Sequence, residues 1–380
     1  MPSDAPTLPP FADAAALSLR RVHRAASELR RGIPVVLNGP APLVLLAAET
    51  GGPEGIAELR ALGTDDPVLL LAPVRAAAAM RRSVDTAGDV TAVRLPAVLL
   101  EPVSLRGLAD PTAPRPVMPE PLEPAPAPAE GLAALNLVKL ARLLPAVLAV
   151  TARPDIAATA ADRGLVMVEA ADVLRYPTLE IAGLRLIAAA PVPVPDAPDA
   201  RLVAFRTEGS GLEHLAIVIG KPEDADAPLV RIHSECFTGD LMGSMRCDCG
   251  EQLRGAIRRI AEDGSGIVLY LAQEGRGIGL VNKLRAYTLQ DLGLDTLDAN
   301  RALGWGADER NFMTGAAMLS LLKITRIRLM TNNPEKVASM QACGVVVVGR
   351  EEHQFAPNGV NDEYLATKAA RFRHMLDTSS

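Results

Sequence analysis

Apolar and polar positions along the first half of the chain alternate in the way expected of strands and helices that follow one another. IPVVL (33–37), LVLLAAE (43–49) and PVLLLAP (67–73) are short apolar runs typical of buried strands. Residues 12–31 and 53–63 instead carry apolar side chains at helical spacing, so that these side chains share one face. The first half is therefore predicted to be α/β.

The second half shows the same alternation, with no repeat of fixed period. Apolar runs predict strands at 229–235, 266–273, 327–332 and 345–348. The segments between and after them predict helices at 250–264, after EGRGIG through about Leu292, at 312–324 and at 334–344. We expect an α/β (α+β) protein of two domains, each a mixed sheet with flanking helices.

Three proline-rich segments divide the chain. Residues 1–10 are predicted to form a flexible tail. Residues 110–130 are predicted to form an extended surface loop, because their many prolines exclude helix and central strand. The composition changes at APVPVPDAPDA (190–200), and nearly all chemically interesting side chains follow it. We therefore predict a first domain at 11–190, a linker at 191–200 and a second domain at 201–375.

Composition and charge exclude several classes of partner. The 380 residues are 49% apolar, with a net charge of −6 and a pI of about 5.5, so nothing in the total charge attracts a nucleic acid polymer or an anionic membrane. Aromatic residues make up only 3%, which argues against a stacking surface for single strands. No apolar run reaches the length of a membrane-spanning helix. We expect a cytoplasmic protein.

Three of the four cysteines lie within CFTGDLMGSMRCDCGEQL, residues 236–253. In a reducing compartment, clustered thiols are more often metal ligands or catalysts than disulfides. Cys236, Cys247 and Cys249 are expected to bind zinc and to leave a fourth position open for water, which is the pattern of a catalytic site. The alternatives are a closed zinc site completed by His233, or core thiols without metal. Cys343 is predicted to be a small buried hydrophobe.

Two further motifs favour phosphate binding. YLAQEGRGIG (270–279) runs from a strand through a glycine-rich turn into a helix, where Arg276 and the helix N-terminus suit a phosphate. TNNPEK (331–336) opens onto a helix in the same way and offers Thr331 and Lys336. Each motif also fits an ordinary capped turn.

GWGADERNF (304–312) places Asp308 and Arg310 in a polar loop. The carboxylate is suited to proton transfer and the guanidinium to stabilising a developing negative charge, although a surface cap with a salt bridge is the alternative. Zinc-activated water, phosphate donors and this loop together favour hydrolysis of a phosphorylated substrate such as a nucleotide.

The second half resembles GTP cyclohydrolase II over roughly residues 200–375, through RIHSECFTGD, SMRCDCGEQL, YLAQEGRGIGL, NKLRAYTLQD, ADERNF and TNNPEKV in that order. The resemblance implies a C-terminal domain of GTP cyclohydrolase II type. It implies an enzyme that opens the guanine ring of GTP in the first step toward riboflavin and releases formate and pyrophosphate. It also implies a homodimer, and magnesium on the triphosphate.

The resemblance further implies roles for individual residues. Cys236, Cys247 and Cys249 would bind zinc, Asp308 would accept a proton, Arg310 would be the nucleophile toward the α-phosphate, and Tyr287 would lie near the opened ring. The residues implied to contact GTP are Arg231, Ile232, His233, Ser234, Glu235, Gln252, Glu274, Gly275, Arg276, Thr296, Thr331 and Lys336.

Residue chemistry leaves alternatives open. A guanidinium with a pKa above about 12 is a poor nucleophile, so Arg310 is also interpreted as an electrostatic stabiliser of the leaving pyrophosphate. A family member recruited to another pathway, such as pyrimidine breakdown, is a rival to the riboflavin function. A zinc-containing nucleotide sensor without turnover is a rival from another class.

The first half resembles 3,4-dihydroxy-2-butanone 4-phosphate synthase through ASELRRGIPVVL, LVLLAAETGGPEGIAEL, ALNLVKLARLLPAVLAV and PDIAATAADRGLVMVEAADVLRYP. The family's acidic metal-binding loop falls on NGPAP (38–42), which has no carboxylate, and a proline-rich stretch replaces its catalytic histidine. The resemblance implies a degenerate domain that keeps the scaffold and has lost the synthase chemistry.

Overall fold

The computed structural model describes residues 14–85, 88–118, 120–207, 211–355 and 359. Within them the chain forms two seven-stranded sheets, one from each half, with helices packed against both. Parallel and antiparallel pairs occur in each sheet. The predicted class, two mixed-sheet domains with flanking helices, is confirmed.

The first sheet has the strand order β5-β4-β3-β6-β2-β1-β7, in which only β1 and β7 pair in parallel. Its strands are β1 Val35–Asn38, β2 Leu43–Ala47, β3 Val68–Leu71, β4 Thr91–Arg94, β5 Glu123–Ala125, β6 Ala146–Thr151 and β7 Met167–Glu169. Its helices are α1 Ala14–Arg30, α2 Pro53–Leu62, α3 Pro73–Met80, α4 Pro102–Ala109, α5 Gly131–Leu140, α6 Ile156–Arg163 and α7 Ala170–Ala182.

The central strands of this sheet are buried on both faces, which explains their continuous apolar sequences. Side chains alternate along each strand, so Val44 and Leu46 pack into one apolar cluster while Leu43 and Leu45 pack into the other. The predicted proline-rich loop contributes the short strand β5 at the sheet edge, where missing backbone donors are tolerated.

The second sheet has the order β14-β13-β11-β12-β10-β9-β8, with parallel pairing from β12 through β11 and β13 to β14. Its strands are β8 Leu184–Pro191, β9 Arg201–Thr207, β10 Glu213–Ile219, β11 Leu229–Ser234, β12 Gly266–Leu271, β13 Arg326–Met330 and β14 Val346–Glu351. Its helices are α8 Cys249–Asp263, α9 Leu280–Asp291, α10 Thr296–Ala302, α11 Met313–Leu321 and α12 Pro334–Ala342. Strands β11, β12 and β13 therefore end at one edge, where ligands commonly bind in α/β sheets.

The predicted boundary between the domains needs a correction. Strand β8 belongs to the second sheet and pairs antiparallel with β9, from Leu184 opposite Thr207 to Pro191 opposite Arg201. Residues 191–200 are therefore a connection between two strands of one sheet and do not link two domains. Proline does not exclude an edge strand, and β8 is such a strand. The predicted tail at 1–10 and the end of the predicted second domain after residue 355, except Gly359, lie outside the described residues.

The two halves share an apolar core. Ala286 and Leu289 of α9, together with Trp305, pack into the same buried cluster as Leu69 and Leu144 of the first half. One face of the second domain is thus covered by the first. Within the described residues, no helix is long and apolar enough to cross a membrane.

Candidate active site

An open cavity lies at the ends of β11, β12 and β13, and α8, α9 and α12 close its sides. Most of the predicted site residues line it: Arg231, His233, Ser234, Glu235, Cys236, Cys247, Cys249, Gln252, Glu274, Gly275, Arg276, Tyr287, Thr296, Arg310, Thr331 and Lys336. These residues come from segments up to about a hundred positions apart, and the parallel strand order brings them to one edge.

Two predicted residues do not line the cavity. The Ile232 side chain is fully buried in the core of the second sheet, because side chains alternate along β11 and its neighbours Arg231 and His233 face the cavity. Only its backbone contributes, since the carbonyl accepts a hydrogen bond from Lys336 Nζ at 2.8 Å. The Ile232 side chain is therefore not placed to touch a ligand in the cavity, and a contact between GTP and its backbone stays a prediction. Asp308 lies behind Arg310 and contacts it directly.

The thiols of Cys236, Cys247 and Cys249 converge, with all three Sγ atoms within 4.8 Å of one another. The Cys236 and Cys247 sulfurs are 3.7 Å apart. Two thiolates on a tetrahedral zinc with bonds of about 2.3 Å would be separated by about 3.8 Å, so the donor set fits zinc. His233 does not belong to this cluster, and its Nε2 donates to the Asp240 carboxylate at 3.1 Å.

The protonation of the three thiols also favours a cation. Hydrogen bonds from Cys247 and Cys249, assisted by the Lys283 ammonium, lower the pKa of Cys236. The hydrogen bond to Cys236 raises the pKa of Cys247 to about 11, and contacts with both other thiols raise the pKa of Cys249 well above its usual value. Thiolates close together repel one another, so all three ionise readily only when a metal ion neutralises them.

Gly239 lets the cysteine loop fold around the cluster. A Cβ atom at this position would lie 2.8 Å from Cys247 Sγ and 3.1 Å from Cys236 Sγ. The glycine sits in a π-helical turn, Phe237–Leu241, between the first and second cysteines. Asp240 anchors the same turn, because its carboxylate accepts hydrogen bonds from the Cys236 amide at 2.9 Å and the Tyr270 hydroxyl at 3.0 Å.

Lys283 is a central site residue that the motif analysis did not single out. Its ammonium donates to Cys236 Sγ at 3.1 Å, Thr238 Oγ1 at 2.9 Å and Glu274 Oε1 at 2.9 Å. Burial lowers the pKa of Lys283. The Cys236 thiolate, Tyr287 and Glu274 outweigh this effect and leave the pKa raised, so the amine stays charged. The sequence signal was its spacing, since Lys283 precedes Tyr287 by four residues on one helix and so shares its face.

Glu274 holds the loops that surround the cavity. One carboxylate oxygen accepts from the Phe237 amide at 2.6 Å, and the other accepts from the Gly275 amide at 2.7 Å and from Lys283. Gly275 and Arg276 both adopt left-handed backbone conformations, with φ of 64° and 62°. The turn after β12 therefore differs from a regular helix start and turns sharply along the cavity wall.

Asp308 and Arg310 pair with each other. Arg310 Nε donates to both Asp308 oxygens, at 2.8 and 3.1 Å, and a terminal guanidinium nitrogen donates to the second oxygen. Burial raises the pKa of Asp308, but the hydrogen bonds and charge of Arg310 outweigh it and leave this pKa lowered. The carboxylate is thus ionised and holds a protonated guanidinium at the cavity.

Arg231 provides a deeply buried cation at the base of the cavity. It is 6% exposed, and it donates to the Met330 carbonyl at 3.0 Å and to Gln252 Oε1 at 2.6 Å, while its Nε has no hydrogen-bond partner among the described residues. Burial lowers its pKa to about 10, which leaves it charged at neutral pH. Together with Arg276, Arg310 and Lys336, it gives the cavity a cationic wall suited to phosphate.

Cys343 corrects one prediction. The residue follows the last turn of α12 and is exposed. The apolar run that begins at Val345 suggested a buried thiol, but Cys343 lies in the solvent-facing turn before that run.

Convergent thiols, a cationic wall and a clamped carboxylate at the strand ends define the candidate active site of a hydrolytic enzyme acting on an anionic substrate. A sequence profile of GTP cyclohydrolase II matches residues 185–352. A GTP cyclohydrolase-2 from Azospirillum brasilense is 44% identical over 367 residues, which cover 94% of each chain. The chain belongs to the GTP cyclohydrolase II family, a family of hydrolases, which confirms the resemblance of its second half.

Two further relatives match slightly less than half of the chain. A GTP cyclohydrolase-2 from Pasteurella multocida is 49% identical over 177 residues, which are 46% of this chain and 81% of the relative. The riboflavin biosynthesis protein RibBA from Parabacteroides distasonis is 51% identical over 176 residues, 46% of this chain and 44% of the relative. Among solved structures, a two-domain 3,4-dihydroxy-2-butanone 4-phosphate synthase from A. baumannii covers 88% of this chain at 17% identity with a TM-score of 0.34.

Proposed function

We propose that this protein hydrolyses GTP to 2,5-diamino-6-(5-phosphoribosylamino)pyrimidin-4(3H)-one, formate and pyrophosphate, with one zinc ion held by Cys236, Cys247 and Cys249. The reaction is the first step of riboflavin biosynthesis. The observation that supports it best is the cluster of three thiols at zinc-ligand spacing inside a cationic cavity, in a chain of this family. We also propose that magnesium accompanies the triphosphate, because divalent cations neutralise phosphate oxygens.

Zinc held by Cys236, Cys247 and Cys249 would supply a Lewis acid that activates water. The chain's own residues supply the rest. Lys283 donates to the Cys236 sulfur and to Thr238, which orients the first ligand and reduces the negative charge of the cluster. Tyr287 lies on the same face of α9, with its hydroxyl 3.5 Å from the Thr238 hydroxyl. We propose that it contacts the ring end of the substrate.

Arg310 is proposed to stabilise negative charge on the leaving pyrophosphate. Its ion pair with an ionised Asp308 favours the protonated guanidinium, which has no lone pair for attack. The same pair fixes the orientation of the guanidinium before the substrate arrives, and a fixed charge stabilises a transition state at little reorganisation cost. Asp308 in this state is a positioning group for Arg310.

The direct test is to supply GTP, zinc and magnesium to the purified protein and to measure formate and pyrophosphate together. Cys247→Ser should lose zinc and formate release, whereas Cys343→Ser, which changes the exposed fourth thiol, should keep both. Arg310→Ala should lose most pyrophosphate release, by about 100-fold, while Arg301→Ala on the exposed side of α10 should not. Full formate release from metal-free protein would refute the zinc assignment.

The same assay separates the rivals. A protein that binds GTP and zinc and releases no formate is a sensor. A protein that releases formate and forms a different pyrimidine product belongs to another pathway. Only the stated product together with both small products supports the riboflavin function.

We propose that the first domain has no 3,4-dihydroxy-2-butanone 4-phosphate synthase activity. NGPAP provides no carboxylate for a metal, and Glu49 is already engaged by Arg285 at 2.8 Å and by the Leu144 amide at 2.7 Å. His23 is partly buried against Tyr176, and burial lowers its pKa. Formation of dihydroxybutanone phosphate from ribulose 5-phosphate by the purified full-length protein would contradict this.

We propose that the protein is cytoplasmic and forms a homodimer. Free, clustered thiols suit a reducing cytoplasm. A homodimer is proposed from the family resemblance, and exposed apolar side chains such as Leu241, Met242 and Leu292 are compatible with a covered surface. Light scattering on the purified protein at several concentrations gives the molecular mass and tests the dimer.

A further inference from the structure

The loop that contains Asp308 and Arg310 is held from the first domain. Lys139 on α5 donates to Glu309 Oε1 at 2.7 Å, across 170 positions of sequence. It is the only lysine among the first 200 residues. Its ammonium also lies 5.7 Å from the centre of the Trp305 ring, at the start of the same loop. A single side chain of the first domain thus contacts the beginning and the middle of this loop.

Glu309 is the point where two loops of the cavity wall meet. Its amide donates to the Arg276 carbonyl at 3.1 Å, and its carboxylate accepts from the Gly306 amide at 2.7 Å. Gly277 packs directly on it, since a Cβ at that position would lie 2.8 Å from the Glu309 carbonyl oxygen. The position of Glu309 therefore determines where the Arg276 turn and the Arg310 side chain lie relative to each other.

Lys139 acts on this junction from outside the cavity. It does not line the cavity, whereas Arg276 and Arg310 on either side of the junction do. Its side chain is 23% exposed and that of Glu309 is 25% exposed, and ion pairs with this much solvent contribute little to stability. The ion pair can still matter for the position of the cavity side chains, because displacing a catalytic group by about 1 Å costs up to about 100-fold in rate.

We propose that Lys139 is a positioning residue for GTP hydrolysis, through which the first domain sets the placement of Arg276 and Arg310. This inference rests on the proposed function. It gives the first domain a present role in the reaction of the second, although the synthase chemistry is absent. Lys139 does not line the cavity, so it acts through the loop that it contacts at Glu309 and Trp305.

The test compares Lys139→Met with Lys139→Arg in the full-length, zinc-loaded protein. Lys139→Met should lower kcat for GTP by about tenfold and change KM by less than about threefold, because loop placement matters most in the transition state. Lys139→Arg, which can still donate to Glu309, should recover most of kcat. Lys221→Met removes an exposed lysine away from the cavity and should leave kcat unchanged. Zinc content and thermal midpoint should stay at wild-type values in all three.

Trp305 provides a readout that does not need turnover. It is the only tryptophan in the chain and is 4% exposed, so acrylamide quenching of its fluorescence reports how firmly the loop is packed. Quenching should increase in Lys139→Met and in Glu309→Gln, and the double variant should be no worse than either alone. Unchanged quenching in both single variants refutes the positioning role of Lys139, whether or not the wild-type protein releases formate. Absence of formate release from the wild-type protein refutes the proposed function and leaves the quenching result to be judged separately. A kcat loss that Lys139→Arg does not recover also refutes it.

Discussion

Gly239 shows how one residue without a side chain lets the three thiols of the cysteine loop meet. Any Cβ there would press on two sulfurs and on the Cβ of Cys249, which is 2.9 Å from the ideal position. Its backbone φ is not in the left-handed region, so the requirement is for space alone. The geometry of the proposed metal site therefore depends on a residue that offers no ligand atom.

Gly239→Ala should weaken zinc binding by about tenfold or more, because the sulfurs must separate to admit the methyl group. Titration of the purified protein against a zinc-selective chelator measures the change. Gly52→Ala, at a glycine with open space around it, is the matched control and should bind zinc as the wild type does. Wild-type affinity in Gly239→Ala would show that the turn can shift without cost.

His214 predicts a pH dependence of stability at residue scale. Its Nδ1 accepts from the Ala272 amide at 3.1 Å, and burial, with a smaller effect of Arg142, lowers its pKa to about 4. The unfolded chain takes up a proton near pH 6.5 and the folded protein only near pH 4, so stability is complete above about 6.5 and decreases as pH falls toward 4.

His214→Asn keeps an acceptor and removes the titration. Between pH 7.5 and 5.5 the wild type should therefore lose more free energy of unfolding than the variant, with a difference on the order of 1 kcal/mol. Urea unfolding at both pH values measures it. Equal losses in the two proteins would show that His214 is not the group responsible.

Helix α9 contacts the thiol cluster with one face and the first domain with another. Lys283 and Tyr287 face the thiol cluster, while Asn282 and Arg285 face the first domain. Arg285 pairs with Glu49 at 2.8 Å and with Asp110 at 2.9 Å, and Asn282 donates to the Arg142 carbonyl at 3.1 Å. The weak amphipathic pattern of this helix follows from its two buried faces.

Leu289→Ala on the domain-facing side should cost about 2–4 kcal/mol in the free energy of unfolding, because the residue is 5% exposed in the shared core. Leu284→Ala on the same helix removes a side chain that is 50% exposed and should cost less than about 1 kcal/mol. Chemical denaturation measures the free energy of unfolding of both variants. Similar costs would mean that the two domains do not share one core.

At the scale of the whole molecule, the pairing of β8 with the second sheet determines where a fragment containing the second domain should begin. A fragment that starts near Arg201 lacks β8, although Leu184 is 3% exposed in the core and β8 covers the full length of β9. Its removal would leave β9 as an unprotected edge strand, which promotes aggregation. Any fragment without the first domain also exposes the apolar face of α9 and α10 that the first domain covers.

A fragment starting at Leu184 should therefore give more soluble, folded protein than one starting at Arg201. Size-exclusion chromatography and circular dichroism on both fragments measure this, with the full-length protein as reference. If the shorter fragment were equally soluble and as cooperative in unfolding, β8 would be dispensable to the second sheet.

Much of the fold was predictable because its signals are local. The strand at 229–235 and the helix at 250–264 are confirmed within about a residue by β11 and α8, since alternation, helical spacing and the glycine at position 264 depend only on nearby residues. The zinc-ligand candidates were also local, because three thiols within 14 positions are uncommon in a reducing compartment.

Other features depended on contacts between distant segments. Nothing near Lys139 or Glu49 indicates that each binds a residue of the other domain, at Glu309 and Arg285. The sequence by itself determined the helices, the strands and the types of donor available to a metal and to phosphate, since these follow from periodicity and residue chemistry. Only the tertiary structure decided that Ile232 faces the core, that β8 joins the second sheet and that the first domain contacts the loop of Asp308 and Arg310. Each of these features depends on which surfaces meet when the chain folds.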